Sequence, residues 1–131
     1  MDLEFTTEEL KFRDEVRAWI ASVYTDDLKK RMSLSKNGSL DEEHQKAWQK
    51  LLAEKGWLVT NWPTEHGGPG WNQTQKYIYE MEMALAGAPR MSSMGVRMCA
   101  PVIMKFGTDA QKKKFLPPIR NSEVWWCQGY S

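Results

Sequence analysis

The sequence predicts an all-α domain. Three observations lead there. Helix-start signatures recur along the chain, glycines and prolines punctuate the stretches between them, and alternating apolar/polar runs are scarce before residues 122–131. At 131 residues the chain suits one domain, long enough to bury about two-thirds of its unfolded surface. Tryptophan and methionine number 7 and 8, enough bulky and adaptable side chains to fill an irregular helical core.

The first helix opens at Thr6-Thr7-Glu8-Glu9, a capping box, with Phe5 placed to staple onto Leu10. Leu10, Val16, Trp19, Ile20 and Val23 then share one broad face. Residues 26–38 are polar and end on the Asn37-Gly38 turn signal. Leu28, Met32 and Leu34 suggest a short helical turn within them. A second helix is expected after Ser39 as cap, with Glu42 returning the bond, an inward stripe of His44, Ala47, Trp48, Leu51 and Leu52, and a stop at Gly56.

Residues 57–73 form a long connection carrying Pro63, Gly67, Gly68, Pro69 and Gly70. Loops of this length are functional or tightly self-packed. A phosphate cradle is one reading, but no Lys-Ser/Thr follows the glycines. A turn packed by Trp57, Trp62 and Trp71 is the other. A third helix is expected over residues 74–86, with Ile78, Met81, Met83 and Leu85 inward. A fourth spans residues 91–106 with a break at Pro101. A fifth, capped by Thr108 and Gln111, spans residues 109–116 and stops at Pro117-Pro118.

Function classes can be excluded on charge. Lysine and arginine number 18 against 17 aspartates and glutamates, a net charge of +1, which gives no electrostatic case for nucleic acid or an anionic membrane. No apolar stretch approaches a spanning helix, and Met1-Asp2-Leu3-Glu4 lacks the charged-then-apolar start of a signal peptide. Cys99 and Cys127 form neither a disulfide framework nor a CxxC pair, which fits reduced thiols in a cytoplasmic setting. His44 and His66 lack the companions that a metal site needs, so no metal is expected, and no catalytic constellation is present. The fourth helix, rich in Met and Ser, reads either as core or as the lining of an apolar channel. A stand-alone interaction module is the rival reading of the whole chain.

Three blocks, in this order and spacing, resemble the N-terminal region of the flavin-dependent acyl-CoA dehydrogenases. They are Gly56-Trp57-Leu58-Val59-Thr60-Asn61-Trp62-Pro63-Thr64-Glu65-His66-Gly67-Gly68-Pro69-Gly70-Trp71, Phe106-Gly107-Thr108-Asp109-Ala110-Gln111-Lys112-Lys113-Lys114-Phe115-Leu116-Pro117-Pro118-Ile119, and Trp126-Cys127-Gln128-Gly129-Tyr130-Ser131. The resemblance implies a helical N-terminal domain over residues 1–121, followed at 122–131 by the first strand of a middle β domain that continues beyond this chain. It implies FAD as cofactor, oxidation of acyl-CoA to trans-2-enoyl-CoA, and an electron-transfer flavoprotein as partner in a homo- or hetero-oligomeric parent. A non-catalytic subunit of a heteromeric dehydrogenase is a variant of the same resemblance. The base of the family lies outside this region, so no catalytic residue is expected here. By position, Met91, Ser92, Met94, Gly95 and Met98 would line the acyl chain, and Gln128, Gly129, Tyr130 and Ser131 would open the flavin site. The Trp125-Trp126 pair with Gly129-Tyr130-Ser131 resembles bacterial members, some of which act on long, dicarboxylic or steroid-linked acyl groups.

Overall fold

The computed structural model describes residues 4–130. Its elements are α1 Thr7–Val23, α2 Asp26–Leu34, α3 Glu42–Lys55, α4 Gln73–Leu85, α5 Ala100–Phe106 and α6 Asp109–Arg120, with a 3-10 turn at Thr64–His66 and a π-helical segment at Met94–Cys99. No strand forms among the described residues. They fall into two compact units, Met1–Leu40 with Trp71–Pro89 and Asp41–Gly70 with Arg90–Ser131.

In the first unit α1 packs along α4. The expected capping box is present: Thr6 Oγ1 accepts the Glu9 N–H at 3.2 Å, and Glu9 Oε2 accepts the Thr6 N–H at 2.8 Å. Val16, Ile20 and Tyr24 are buried. The face that α4 buries differs from the expected one. Ile78 is inside, but Tyr79 and Glu82 fill the neighbouring positions, while Met81 and Leu85 are 40% and 71% exposed. The cause is Arg17 on α1, whose guanidinium donates to Glu82 Oε2 at 2.7 Å and to Oε1 at 3.0 Å. That fork holds the carboxylate against α1 and turns the methionine and leucine outward. The pairing also raises the Arg17 pKa, the hydrogen bond to Glu82 being the chief cause. Trp71 belongs to this unit, edge-on to Phe12 at 5.1 Å and tilted on Tyr79 at 5.2 Å. The polar stretch after α1 is a full helix of 9 residues capped by Thr25.

In the second unit α3 begins two residues later than expected. Asp41, not Ser39, is the cap, its Oδ1 accepting the His44 N–H at 3.2 Å. The helix ends at Gly56, as expected. Its buried face is Gln45, Trp48, Gln49 and Leu52. His44 and Leu51 are only half-buried and Ala47 is exposed, so the glutamines take places the sequence assigned to them. The connection after Gly56 is ordered by burial of Trp57, Leu58, Val59, Thr60 and Trp62. Gly68 is required there by close approach: a Cβ on it would lie 1.7 Å from Trp62 O.

The fourth helix is broken, but upstream of the proline. Residues Met94–Cys99 take the wider π register, and regular helix starts at Ala100 with Pro101 in its first turn, where a missing N–H is tolerated. α6 runs through Pro117 and Pro118 to Arg120. The carbonyls those prolines leave without a donor belong to Lys113 and Lys114, which are exposed to water. Burial of Leu116 and Ile119 on the other side holds the last turn in place. Among the described residues no helix is long and apolar enough to cross a membrane.

Candidate functional site

The second unit holds the described residues that the sequence singled out. Residues 90–98 are fastened first by α3. Gln45 Nε2 donates to Arg90 O at 2.7 Å, and Gln49 Oε1 accepts the Ser92 N–H at 2.5 Å. Both glutamines are buried, so these bonds satisfy amides that would be costly to strand. Sequence reasoning missed them, although positions 45, 48, 49 and 52 follow the i, i+3, i+4, i+7 spacing of an inward face.

The π segment comes next. Ala100 N–H donates to Gly95 O, a bond of the wider register. The same register would give Val96 O a donor at residue 101, which is a proline. Trp62 supplies it instead, Nε1 donating to Val96 O at 2.9 Å in a buried contact. Beside this bond lies a cleft of about 520 Å³ bordered by Leu58, Trp62, Met91, Val96 and Met104, with His66 and Arg97 among its polar lining. His66 Nε2 is 3.7 Å from Glu65 Oε1. No cluster of metal-ligating side chains is present among the described residues.

The structure distributes the expected acyl-lining residues. Met91 borders the cleft. Ser92 and Gly95 border a separate void of about 10 Å³ beneath Trp125 and Trp126. A Cβ on Gly95 would meet Trp126 Cδ1 at 3.1 Å and Ile119 Cγ2 at 3.4 Å, so the space that glycine leaves is taken by the indole. Met94 is half-buried, and Met98 is 51% exposed.

The expected flavin residues lie on the segment after α6. Ser122 turns the chain with φ +56°, and Trp125 Nε1 donates to Ser122 Oγ at 3.2 Å. Trp126 packs edge-on to Phe115 at 6.1 Å, and its buried Nε1 has no partner among the described residues. Gln128 Nε2 donates to Met98 Sδ at 3.6 Å. Tyr130 is 89% exposed. Ser131 lies outside the described residues. The expected strand is not formed here, because no second strand among the described residues offers a ladder.

Comparison with known proteins decides the family. The sequence profile of the acyl-CoA dehydrogenase N-terminal domain matches residues 6–123. The chain belongs to the acyl-CoA dehydrogenase family. Acyl-CoA dehydrogenase IpdE1 of Mycolicibacterium smegmatis is 36% identical over 124 residues, covering 92% of this chain and 32% of its own. FadE26 of Mycobacterium tuberculosis is 32% identical over 136 residues, covering 100% of this chain and 32% of its own. The solved structure of the Tcur3481-Tcur3483 steroid ACAD matches with a TM-score of 0.76 at 30% identity, over 95% of this chain and 31% of that one. The ChsE4-ChsE5 complex from Mycobacterium tuberculosis matches with a TM-score of 0.73 at 31% identity, over 95% of this chain and 30% of that one. The chain thus spans 32% of the length of those curated acyl-CoA dehydrogenases.

Membership of the acyl-CoA dehydrogenase family implies a flavin. Nothing lies within 4 Å of a Cβ placed on Gly129. The N–H groups of Gln128, Gly129 and Tyr130 have no backbone acceptor among the described residues, so they are available to a ring rim.

Proposed function

We propose that this chain is the N-terminal portion of an FAD-dependent acyl-CoA dehydrogenase that oxidises acyl-CoA to trans-2-enoyl-CoA and passes the electrons to an electron-transfer flavoprotein. The observation that carries this reading is the meeting of Met98 with Gln128. One residue matches the family's acyl wall and the other its flavin segment. Dehydrogenation needs the acyl chain and the ring side by side, so the walls that hold them have to adjoin. Bound FAD supplies the acceptor for the hydride that leaves the β-carbon. The chain's own share is to bind and to exclude water: Met91, Ser92, Met94, Gly95 and Met98 form the acyl wall, while Gln128, Gly129, Tyr130 and Ser131 open the flavin site. The base that removes the α-proton comes from elsewhere in the enzyme.

Residues 1–121 are then the helical domain and 122–131 the start of the β domain, pairing as a strand in the complete enzyme. The names of the steroid ACAD and of the ChsE4-ChsE5 complex support a bulky acyl group and a hetero-oligomeric assembly.

The wall is tested with Met91→Phe in the full-length enzyme, assayed on acyl-CoAs of increasing length. The expected result is a loss in kcat/KM that grows with length, by roughly 1–3 kcal/mol for each methylene that no longer fits. An equal loss at every length means that Met91 only packs.

A further inference from the structure

We propose that Gly95 and Met98 are positioning residues for the flavin segment, so that the π-helical acyl wall and residues 126–130 shift together; this rests on the function proposed above. Two contacts make the link. Trp126 lies against Gly95 closely enough that a Cβ there would stand 3.1 Å from its Cδ1, with Ile119 Cγ2 at 3.4 Å on the same spot. Two residues on, Gln128 Nε2 donates to Met98 Sδ at 3.6 Å. Attachment at two points fixes the direction of a short segment as well as its place.

Among the described residues the buried Trp126 Nε1 has no hydrogen-bond partner. The indole is located by shape alone, between Gly95 and the edge-on ring of Phe115 at 6.1 Å. A side chain added at Gly95 presses hardest on the indole, 3.1 Å away against 3.4 Å for Ile119, and the indole carries Gln128 and Gly129 with it. The π register places Gly95 and Met98 on the wall that meets this segment, a use consistent with the occurrence of such segments at functional sites.

The test uses the full-length flavoprotein, with its partner chain if it has one. Four variants are compared with wild type: Gly95→Ala, Trp126→Leu, the double variant, and Met98→Leu. Leucine at 126 replaces a rigid ring with a smaller, rotatable side chain. Leucine at 98 keeps the bulk on an exposed surface and removes the sulfur acceptor. The readouts are the visible spectrum of the bound flavin, its midpoint potential and the FAD dissociation constant. Gly95→Ala is expected to shift the spectrum and weaken FAD binding by about threefold or more, and Trp126→Leu in the same chain to restore part of that loss. Met98→Leu is expected to move the spectrum in the same direction by less. A lower melting temperature with unchanged spectrum, potential and FAD affinity overturns the proposal, as do strictly additive effects at 95 and 126. If wild type is flavin-loaded and is bleached by acyl-CoA while the variants do not move these readouts, the positioning role fails and the function stands. A wild type without flavin overturns both.

Discussion

The indole N–H of Trp62 donates to the main-chain oxygen of Val96 at 2.9 Å, taking the place of the N–H that Pro101 lacks. A loop residue thereby completes a helix, and the π segment beside the candidate acyl wall depends on a side chain 34 positions away. Trp62→Phe keeps most of the buried ring but leaves the Val96 carbonyl unpaired. The expected cost is about 1–3 kcal/mol, read from urea denaturation midpoints. A change below about 0.5 kcal/mol, the range of neutral surface substitutions, means that water or a shifted helix satisfies the carbonyl.

Gly68 makes that arrangement possible. A Cβ on it would sit 1.7 Å from Trp62 O, and the clashing atom is backbone, so the turn itself has to open. Gly68→Ala should destabilise the second unit by about 1–3 kcal/mol, the cost of forcing atoms into a packed site. It should also increase the fluorescence quenching of Trp62 by added iodide. An unaltered melting curve contradicts the close approach.

Asp41 gives a pH dependence with a defined sign. The hydrogen bond with the His44 ring, 2.8 Å from Asp41 Oδ1, is the largest cause holding its pKa below the ordinary 3.8, and the His44 N–H adds to it. A carboxyl whose folded pKa is depressed stabilises fully above its unfolded value and loses that contribution as pH falls through the folded one. The excess of the wild-type melting temperature over that of Asp41→Asn should be full well above the ordinary value of 3.8 and should close as the pH falls through and below it. A gap independent of pH there contradicts this.

The cysteines differ in reach. Cys127 is exposed, whereas Cys99 is half-buried and burial pushes its thiol up from the usual value. Since the thiolate is the reactive form, iodoacetamide at mildly alkaline pH should label Cys127 first and Cys99 well after it. Peptide mass mapping over time decides this, and equal rates contradict it.

Much of this was legible in the sequence because caps and turns are local. The boxes at Thr6 and Thr108 and the stop at Gly56 depend only on residues a few positions away. What sequence reasoning misplaced depends on distant partners. Glu82 is inside because Arg17 lies across from it, and Gln45 and Gln49 are inside because Arg90 and Ser92 present backbone to them. The π register has no local signature beyond Pro101, since it needs Trp62 to complete it. Pro117 and Pro118 read as a stop, but tertiary burial of Leu116 and Ile119 outweighs their local preference. At the candidate site, the motif blocks gave the family, while the Trp126–Gly95 contact appears only once the chain is folded.

The most direct measurement of the central claim is anaerobic titration of the full-length protein with acyl-CoA, followed by visible absorbance and by mass spectrometry of the thioester. The account predicts a flavin-loaded protein whose oxidised band bleaches as trans-2-enoyl-CoA accumulates in equal amount, with bulky acyl groups among the accepted substrates. A purified protein that carries no flavin, or a bound flavin that no acyl-CoA reduces, would contradict it.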